Sequence, residues 1–222
     1  MGVIAFDIDG VLANFTRGYT RIGHRLYGTP VGDSATQETW NFEDYPRLKL
    51  DKLQAAFDGP IWEIVKSSPD FWATLDPFNV SVMPRINHIE NKIFITNRPG
   101  INTREQSEQF LENWGIENPK VILGSEKGPI AVREGVIAVI DDLYKNVVDI
   151  KAAMPPTYCA LLYCAYNKCF HPEWEVLAQG KLRYNTEVVL SVDHFIDRCY
   201  EQGLVVERRS NIDDHLQALV SV

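Results

Sequence analysis

The stretch Gly2 to Asn14, GVIAFDIDGVLAN, constrains the fold more than any other part of the chain. Val3, Ile4, Ala5 and Phe6 form an unbroken apolar run, which suits a strand covered on both faces, as in a parallel sheet. The run breaks into Asp7-Ile8-Asp9-Gly10. Two carboxylates directly after a buried strand are strongly unfavourable unless they sit at its carboxyl end, where open α/β sheets hold their ligands. Spaced two apart, Asp7 and Asp9 share a face in a strict strand. Gly10 lets the backbone turn away and offer its amides to an anion. Such a pair suits a divalent cation with a nucleophilic carboxylate beside it.

The rest of the chain supplies the partners such a strand needs. Phe15, Tyr19, Ile22 and Leu26 have helical spacing and are closed by Gly28 and Pro30. Leu48 to Phe57 reads as one short amphipathic helix and Ile61 to Val65 as part of another, and the region holds no clear second strand. From about Asn14 to Met83 is too long for a connecting loop, so 15–83 is expected to be an inserted, mainly helical cap, with 1–14 and 84–222 as the core. A short helix is expected near Arg85 to Glu90. Lys92 to Thr96 (KIFIT) is the second strand and ends in the turn Thr96-Asn97-Arg98-Pro99-Gly100. Thr103 with Gln106 reads as a capping box for a helix through Phe110, Leu111 and Trp114.

Lys120 to Leu123 is the third strand, followed by a loop carrying Lys127 and a helix from about Ile130. Val136 to Ile140 is the fourth strand and runs directly into Asp141-Asp142. A helix near Tyr144 to Met154, a strand near Tyr158 to Cys164, a short apolar run at Val188 to Leu190 and a helix from Val192 capped by Ser191 follow. A last helix is expected near Asp213 to Leu219. Alternating strands and helices predict an α/β, doubly wound, mostly parallel sheet.

Composition excludes several functions. A net charge of −8 opposes a broad electrostatic footprint for nucleic acid or anionic membrane, though one cation and a few local bases can still hold a small phosphate. No apolar run approaches the ~20 residues of a membrane span, and no signal-peptide pattern opens the chain, so a soluble, cytoplasmic protein is expected. Cys159, Cys164, Cys169 and Cys199 lack the spacing of a zinc site and read as reduced thiols.

The order D-x-D-G-V-L after an apolar strand, a hydroxyl at Thr96 after the second, Lys127 after the third and Asp141-Asp142 after the fourth resembles the four motifs of the haloacid dehalogenase-like (HAD) phosphohydrolases. Lys120 rivals Lys127 but lies before its strand, at the wrong end. The resemblance implies a Rossmann-like sheet with an inserted cap and Mg²⁺ held by Asp7, the Asp9 carbonyl and one or both of Asp141 and Asp142. It implies Asp7 as nucleophile, forming an aspartyl-phosphate. Asp9 would protonate the leaving alcohol and later deprotonate water. Thr96, the Asn97 amide and Lys127 would stabilise the transferring phosphoryl group.

DIDGVLANF, the helical cap and FWATLDPF before the second strand resemble the 5′(3′)-deoxyribonucleotidases and related 5′-nucleotidases. Their implied substrate is a nucleoside monophosphate. Trp40, Phe42, Trp62, Phe71 and Trp72 then become either a stacking face for a base or the cap's own core. Motif two departs from that family: Thr96-Asn97-Arg98 stands where threonine is usually followed by serine. Arg98 would clamp a second phosphate or pair with an acid such as Glu105. The T-x-R turn also resembles polynucleotide 3′-phosphatases, which need a basic channel that the acidic balance opposes. A sugar-phosphate or cofactor phosphatase shares the same catalytic residues. A non-catalytic binding module would have dispensed with Asp7 or Asp9, and both are present.

Overall fold

A computed structural model of the chain describes residues 2–29, 31–32, 54–164 and 186–205. In order these form β1 (Val3–Phe6), α1 (Phe15–Tyr27), α2 (Gln54–Ser67), a 3₁₀ turn (Val80–Val82) leading into α3 (Met83–Asn87), β2 (Lys92–Thr96), α4 (Thr103–Asn113) and β3 (Val121–Leu123). There follow α5 (Lys127–Glu134), β4 (Val136–Asp141), α6 (Tyr144–Ala153), β5 (Tyr158–Leu162), β6 (Thr186–Val189) and α7 (Val192–Glu201).

The strands lie in the order β3-β2-β1-β4-β5-β6, every neighbouring pair parallel. This is the doubly wound sheet expected from the alternation of elements. Its apolar runs serve two cores at once, because successive side chains point to opposite faces. Ile4, Phe6, Phe94, Ala138, Ile140, Tyr158 and Ala160 face one core, with Phe110 of α4 and Phe195 of α7. Ala5, Ile93, Ile95, Val139, Cys159 and Leu161 face the other, covered by Ile130 of α5 and by Val147 and Ile150 of α6.

Helix α7 is part of this packing. Ser191 caps it, its Oγ accepting from the His194 amide at 3.1 Å, and Phe195 lies edge-on to Phe6 with ring centroids 5.6 Å apart. The expected helix at 213–219 and Cys169 lie outside the described residues. Cys159 and Cys199 form no disulfide, and burial pushes their thiols up to about 12, so both remain protonated core side chains. No helix among the described residues is long and apolar enough to cross a membrane.

Local expectations need correction in three places. Of the two helices expected around Pro60, 54–57 of the first and all of the second lie in one helix, α2, with Pro60 inside it, and 48–53 lies outside the described residues. Burial of Ile61 and Val65 against the first core outweighs the proline's propensity. The capping box does not form: Asn102, at φ 48°, precedes the helix without a side-chain cap, and Gln106 is turned inward instead. Lys127 is not in a loop but opens α5. Phe15, Tyr19, Ile61, Val65, Phe71, Trp72 and Leu75 join the same core as Phe6 and Leu12.

Candidate active site

Strand order and register bring the acids together. The chain runs from β1 outward through β2 to β3, then returns across to β4 on the other side of β1. The crevice between β1 and β4 is therefore the topological switch point, the usual ligand site of an open α/β sheet. Phe6 pairs with Ile140, and the Asp7 amide donates to the Ile140 carbonyl at 3.0 Å. Asp7 and Asp141 thus leave adjacent strands at the same level.

Lys127 fills the space between them. Its Nζ lies 3.0 Å from Asp7 Oδ1 and 2.6 Å from Asp141 Oδ2, with the lysine side chain 3% exposed. Helix α5 aims it there, held by α6: the Gly128 amide donates to Asp149 Oδ2 at 2.6 Å. Lys120, by contrast, pairs with Glu134 on the surface. Asp141 is held further by the Leu143 amide at 2.8 Å and by Asn146 Nδ2 at 2.9 and 3.1 Å. Asp142 is fully buried beside it.

One oxygen from each of Asp7, Asp141 and Asp142 lies within 4.8 Å of the others. A single hard cation with oxygen contacts of about 2.0–2.6 Å can span that distance. The charge balance agrees: four carboxylates, counting Asp9, face two cations, Lys127 and Arg98, leaving two formal negative charges for a divalent ion to cancel. Burial pushes the Asp7 carboxyl up from 3.8 to about 7; Lys127 opposes this, and Asp141 and Asp9 add to it. Burial would lower the Lys127 ammonium, but Asp141 and Asp7 more than offset it and hold it above the usual lysine range.

A pH dependence follows. A carboxyl raised from 3.8 to about 7 binds a proton in the folded state that the unfolded chain has already lost. Its contribution to stability is therefore present in acid and lost as pH rises through that window. Without divalent cation, wild type should lose more stability between pH 5 and 8 than Asp7→Asn, read from urea midpoints. Adding the cation should raise the wild-type melting temperature more at pH 8, where no proton competes, than at pH 5. Equal slopes in the two proteins would show that Asp7 carries no such proton.

Asp9 goes elsewhere. Arg98 Nε donates to its Oδ2 at 2.9 Å and an Arg98 terminal nitrogen to its Oδ1 at 2.8 Å, a two-point grip. Thr96 Oγ1 lies 3.2 Å from the same Oδ2. Its carboxylate is not among the three acids that could share an ion. The Gly10 amide, expected to face an anion, donates to the Ala13 carbonyl at 3.0 Å, because the φ of 83° at Gly10 turns the chain back on itself.

Arg98 pairs with Asp9 rather than Glu105 and is 4% exposed, so it reaches no second phosphate here. Trp72, read as either a stacking face or core, is 2% exposed and belongs to the core. Its ring stacks on Phe15 at 5.4 Å and its indole N–H donates to the Pro99 carbonyl at 3.2 Å. Trp62 and Phe71 also pack on Phe15. Asn97 is exposed at the turn after β2. Trp40 and Phe42 lie outside the described residues.

Asn146 and Ser107 escaped the reading of the sequence, and Gln106 was read only as half of a helix cap. Gln106 and Ser107 share a helical stripe with Thr103, Phe110 and Leu111, all of it buried. Polar residues at core positions of a helix require partners, and that was the available signal. Gln106 accepts from the Trp72 amide and donates to the Ser68 and Ile101 carbonyls; Ser107 accepts from Arg98 at 2.9 Å.

The turn that carries Arg98 is seated on the end of α2. Gly100, at φ 121°, lies so close that a Cβ there would stand 2.6 Å from the Lys66 carbonyl oxygen. Gly100→Ala combines a conformation that L residues avoid with a backbone clash and should destabilise by about 2–3 kcal/mol, measured by denaturant unfolding. A loss under half a kcal/mol would mean that α2 and the turn separate readily.

No family model matches the chain, and no curated protein does. Solved structures do. A haloacid dehalogenase-like hydrolase of Burkholderia xenovorans LB400 is 13% identical with a TM-score of 0.54, over 92% of this chain and 98% of its own. A HAD family hydrolase of Deinococcus radiodurans R1, with bound phosphate and sodium, is 14% identical with a TM-score of 0.54, over 94% of this chain and 99% of its own. With the open parallel sheet and its acids at the β1–β4 crevice, these likenesses establish the fold of this chain as that of the HAD-like hydrolases.

Proposed function

We propose that the chain is a Mg²⁺-dependent phosphatase of small phosphate monoesters that works through an aspartyl-phosphate on Asp7. The observation that carries this reading is the convergence of the Asp7, Asp141 and Asp142 oxygens within 4.8 Å beside Lys127. A protein of the same fold holds phosphate and sodium, which supports an anion and a cation sharing this rim. Hard oxygen ligands and the residual negative charge suit Mg²⁺ better than a soft metal.

When bound, Mg²⁺ supplies charge neutralisation and alignment of the phosphate. The chain's own residues do the rest. Asp7 attacks phosphorus; the ester oxygen leaves with a proton that Asp9 must first carry on one of the two oxygens Arg98 holds, and Asp9, then a carboxylate, takes a proton from the water that cleaves the acyl phosphate. Lys127 stays between Asp7 and Asp141, so the nucleophile faces phosphorus with its negative charge already partly compensated. In this reading the Thr96 hydroxyl, which contacts Asp9 at 3.2 Å, and the Asn97 amide hold a phosphoryl oxygen.

For the alcohol, the support is the likeness of DIDGVLANF and FWATLDPF to the 5′(3′)-deoxyribonucleotidases, which favours nucleoside monophosphates. The cap is then the segment 15–83. Phosphate release should be measured with and without Mg²⁺ across deoxy- and ribonucleoside 5′- and 3′-monophosphates, sugar phosphates and a 3′-phosphorylated oligonucleotide. Turnover of mononucleotides that chelation abolishes is the expected result. Turnover confined to the oligonucleotide would reassign the substrate, and Mg²⁺-independent turnover would overturn the mechanism.

A further inference from the structure

Arg98 is a buried cation whose every polar group is spoken for. Two of its nitrogens hold the two oxygens of Asp9, at 2.9 and 2.8 Å, and a third donates to Ser107 Oγ at 2.9 Å. Ser107 is itself fixed by donating to the Thr103 carbonyl at 2.5 Å. The guanidinium lies 4.9 Å from the Trp72 ring centroid and 5.6 Å from that of Phe110, and the side chain is 0% exposed. The backbone around it is equally tied down. The Ile101 amide donates to the Lys66 carbonyl at 3.1 Å, and the Trp72 indole donates to Pro99 at 3.2 Å. A side chain so held cannot swing out to a substrate, but it can dictate where Asp9 stands.

We propose that Arg98 is a positioning residue for Asp9: its guanidinium fork fixes where the carboxylate stands beside Thr96 at the end of β2, and the packing of 66–75 on α4 fixes the fork. This rests on the phosphatase reading, in which Asp9 moves the proton. Asp9 alone among the four acids is partly open, at 16%, against 8% for Asp7 and 0% for Asp141. Its remaining neighbour, Thr96, holds only one oxygen, by a 3.2 Å contact. Without the fork the carboxylate would be free to rotate about χ1 and χ2, and a proton donor displaced by an ångström loses most of its effect.

The test compares wild type with Arg98→Met, Arg98→Lys, Asp9→Asn and the double variant Asp9→Asn/Arg98→Met, all with Mg²⁺. Substrates are p-nitrophenyl phosphate, whose leaving group needs little protonation, and an alkyl ester such as a nucleoside 5′-monophosphate. Arg98→Met should lower kcat on the alkyl ester by about 10²-fold with KM little changed. The loss on the aryl ester should be smaller, in the same ratio as Asp9→Asn shows. The double variant should be no slower than Asp9→Asn alone, because both changes remove one function. Arg98→Lys, with a point charge in place of a fork, should recover only part. A raised KM with kcat kept would make Arg98 a substrate contact, and additive losses would make it merely structural; either overturns the proposal while wild-type turnover upholds the phosphatase reading. Wild type inert towards every ester would sink both. Circular dichroism and melting check each fold; should Arg98→Met not unfold cooperatively, the cycle with Arg98→Lys decides by the same criteria.

Discussion

Asp7→Asn should abolish phosphate release, lowering kcat by about four orders of magnitude or more, while leaving a folded protein. The amide cannot attack phosphorus to give an acyl phosphate, and it withdraws one of the three oxygens that could share an ion. The fold should survive because the change removes a carboxyl that burial and the neighbouring Asp141 already disfavour in its charged form. In cation-free buffer at pH 8 the variant should melt no lower than wild type. The stabilisation that added Mg²⁺ gives wild type should largely vanish. Kinetics and melting on one preparation separate these effects. Residual turnover within tenfold of wild type would place the nucleophile elsewhere.

Lys127→Met should be the most destabilising single change at the rim. The ammonium is the only side-chain cation within salt-bridge distance of Asp7 and Asp141 among the described residues, and all three groups are buried. Removing one member of a buried ionic cluster leaves uncompensated charge and costs about 3–5 kcal/mol. Methionine keeps the stem, so the loss reports the charge and not a cavity. Mg²⁺ should narrow the gap to wild type by supplying positive charge to the same carboxylates. Activity should fall by about 10²–10³-fold even with the ion. Chemical denaturation with and without Mg²⁺ checks the stability, and phosphate release checks the rate. A variant as stable as wild type in chelator would show that Asp7 and Asp141 do not bear charge together.

The strands were readable because a doubly wound sheet buries both faces. VIAF and VIAVI are apolar throughout and KIFIT is apolar between its end residues, and they became β1, β4 and β2. Acids and hydroxyls directly after such runs stand out, since little but a ligand site at the strand ends explains them. Asp7, Thr96 and Asp141 were visible for that reason. Lys127 was separable from Lys120 by the same logic of strand direction.

The hydrogen-bond partners were not readable in the same way. Gly10 looked like a site for an anion, and Arg98 (phosphate clamp or ion-pair partner) and Trp72 (stacking face or core) each stayed open between two readings, because a local pattern shows what a side chain can do and not what reaches it first. Asp9 lies 89 residues from Arg98, and Trp72 lies 34 from Gln106. Such pairs exist only once β1 and β2 are paired and α4 is packed on the sheet. The capping box failed for a related reason: Gln106 gained more from three buried partners than from one helix end.

By itself the sequence determined a parallel α/β sheet and the ends of the strands at which charge would gather, because burial on two faces leaves no other home for such runs. The tertiary structure alone decided the pairing of those charges. Register set Asp7 against Asp141, α5 drove Lys127 between them, and the packing of Trp72 and Phe110 committed Arg98 to Asp9, since electrostatic partners depend on distances in space that spacing along a chain does not encode.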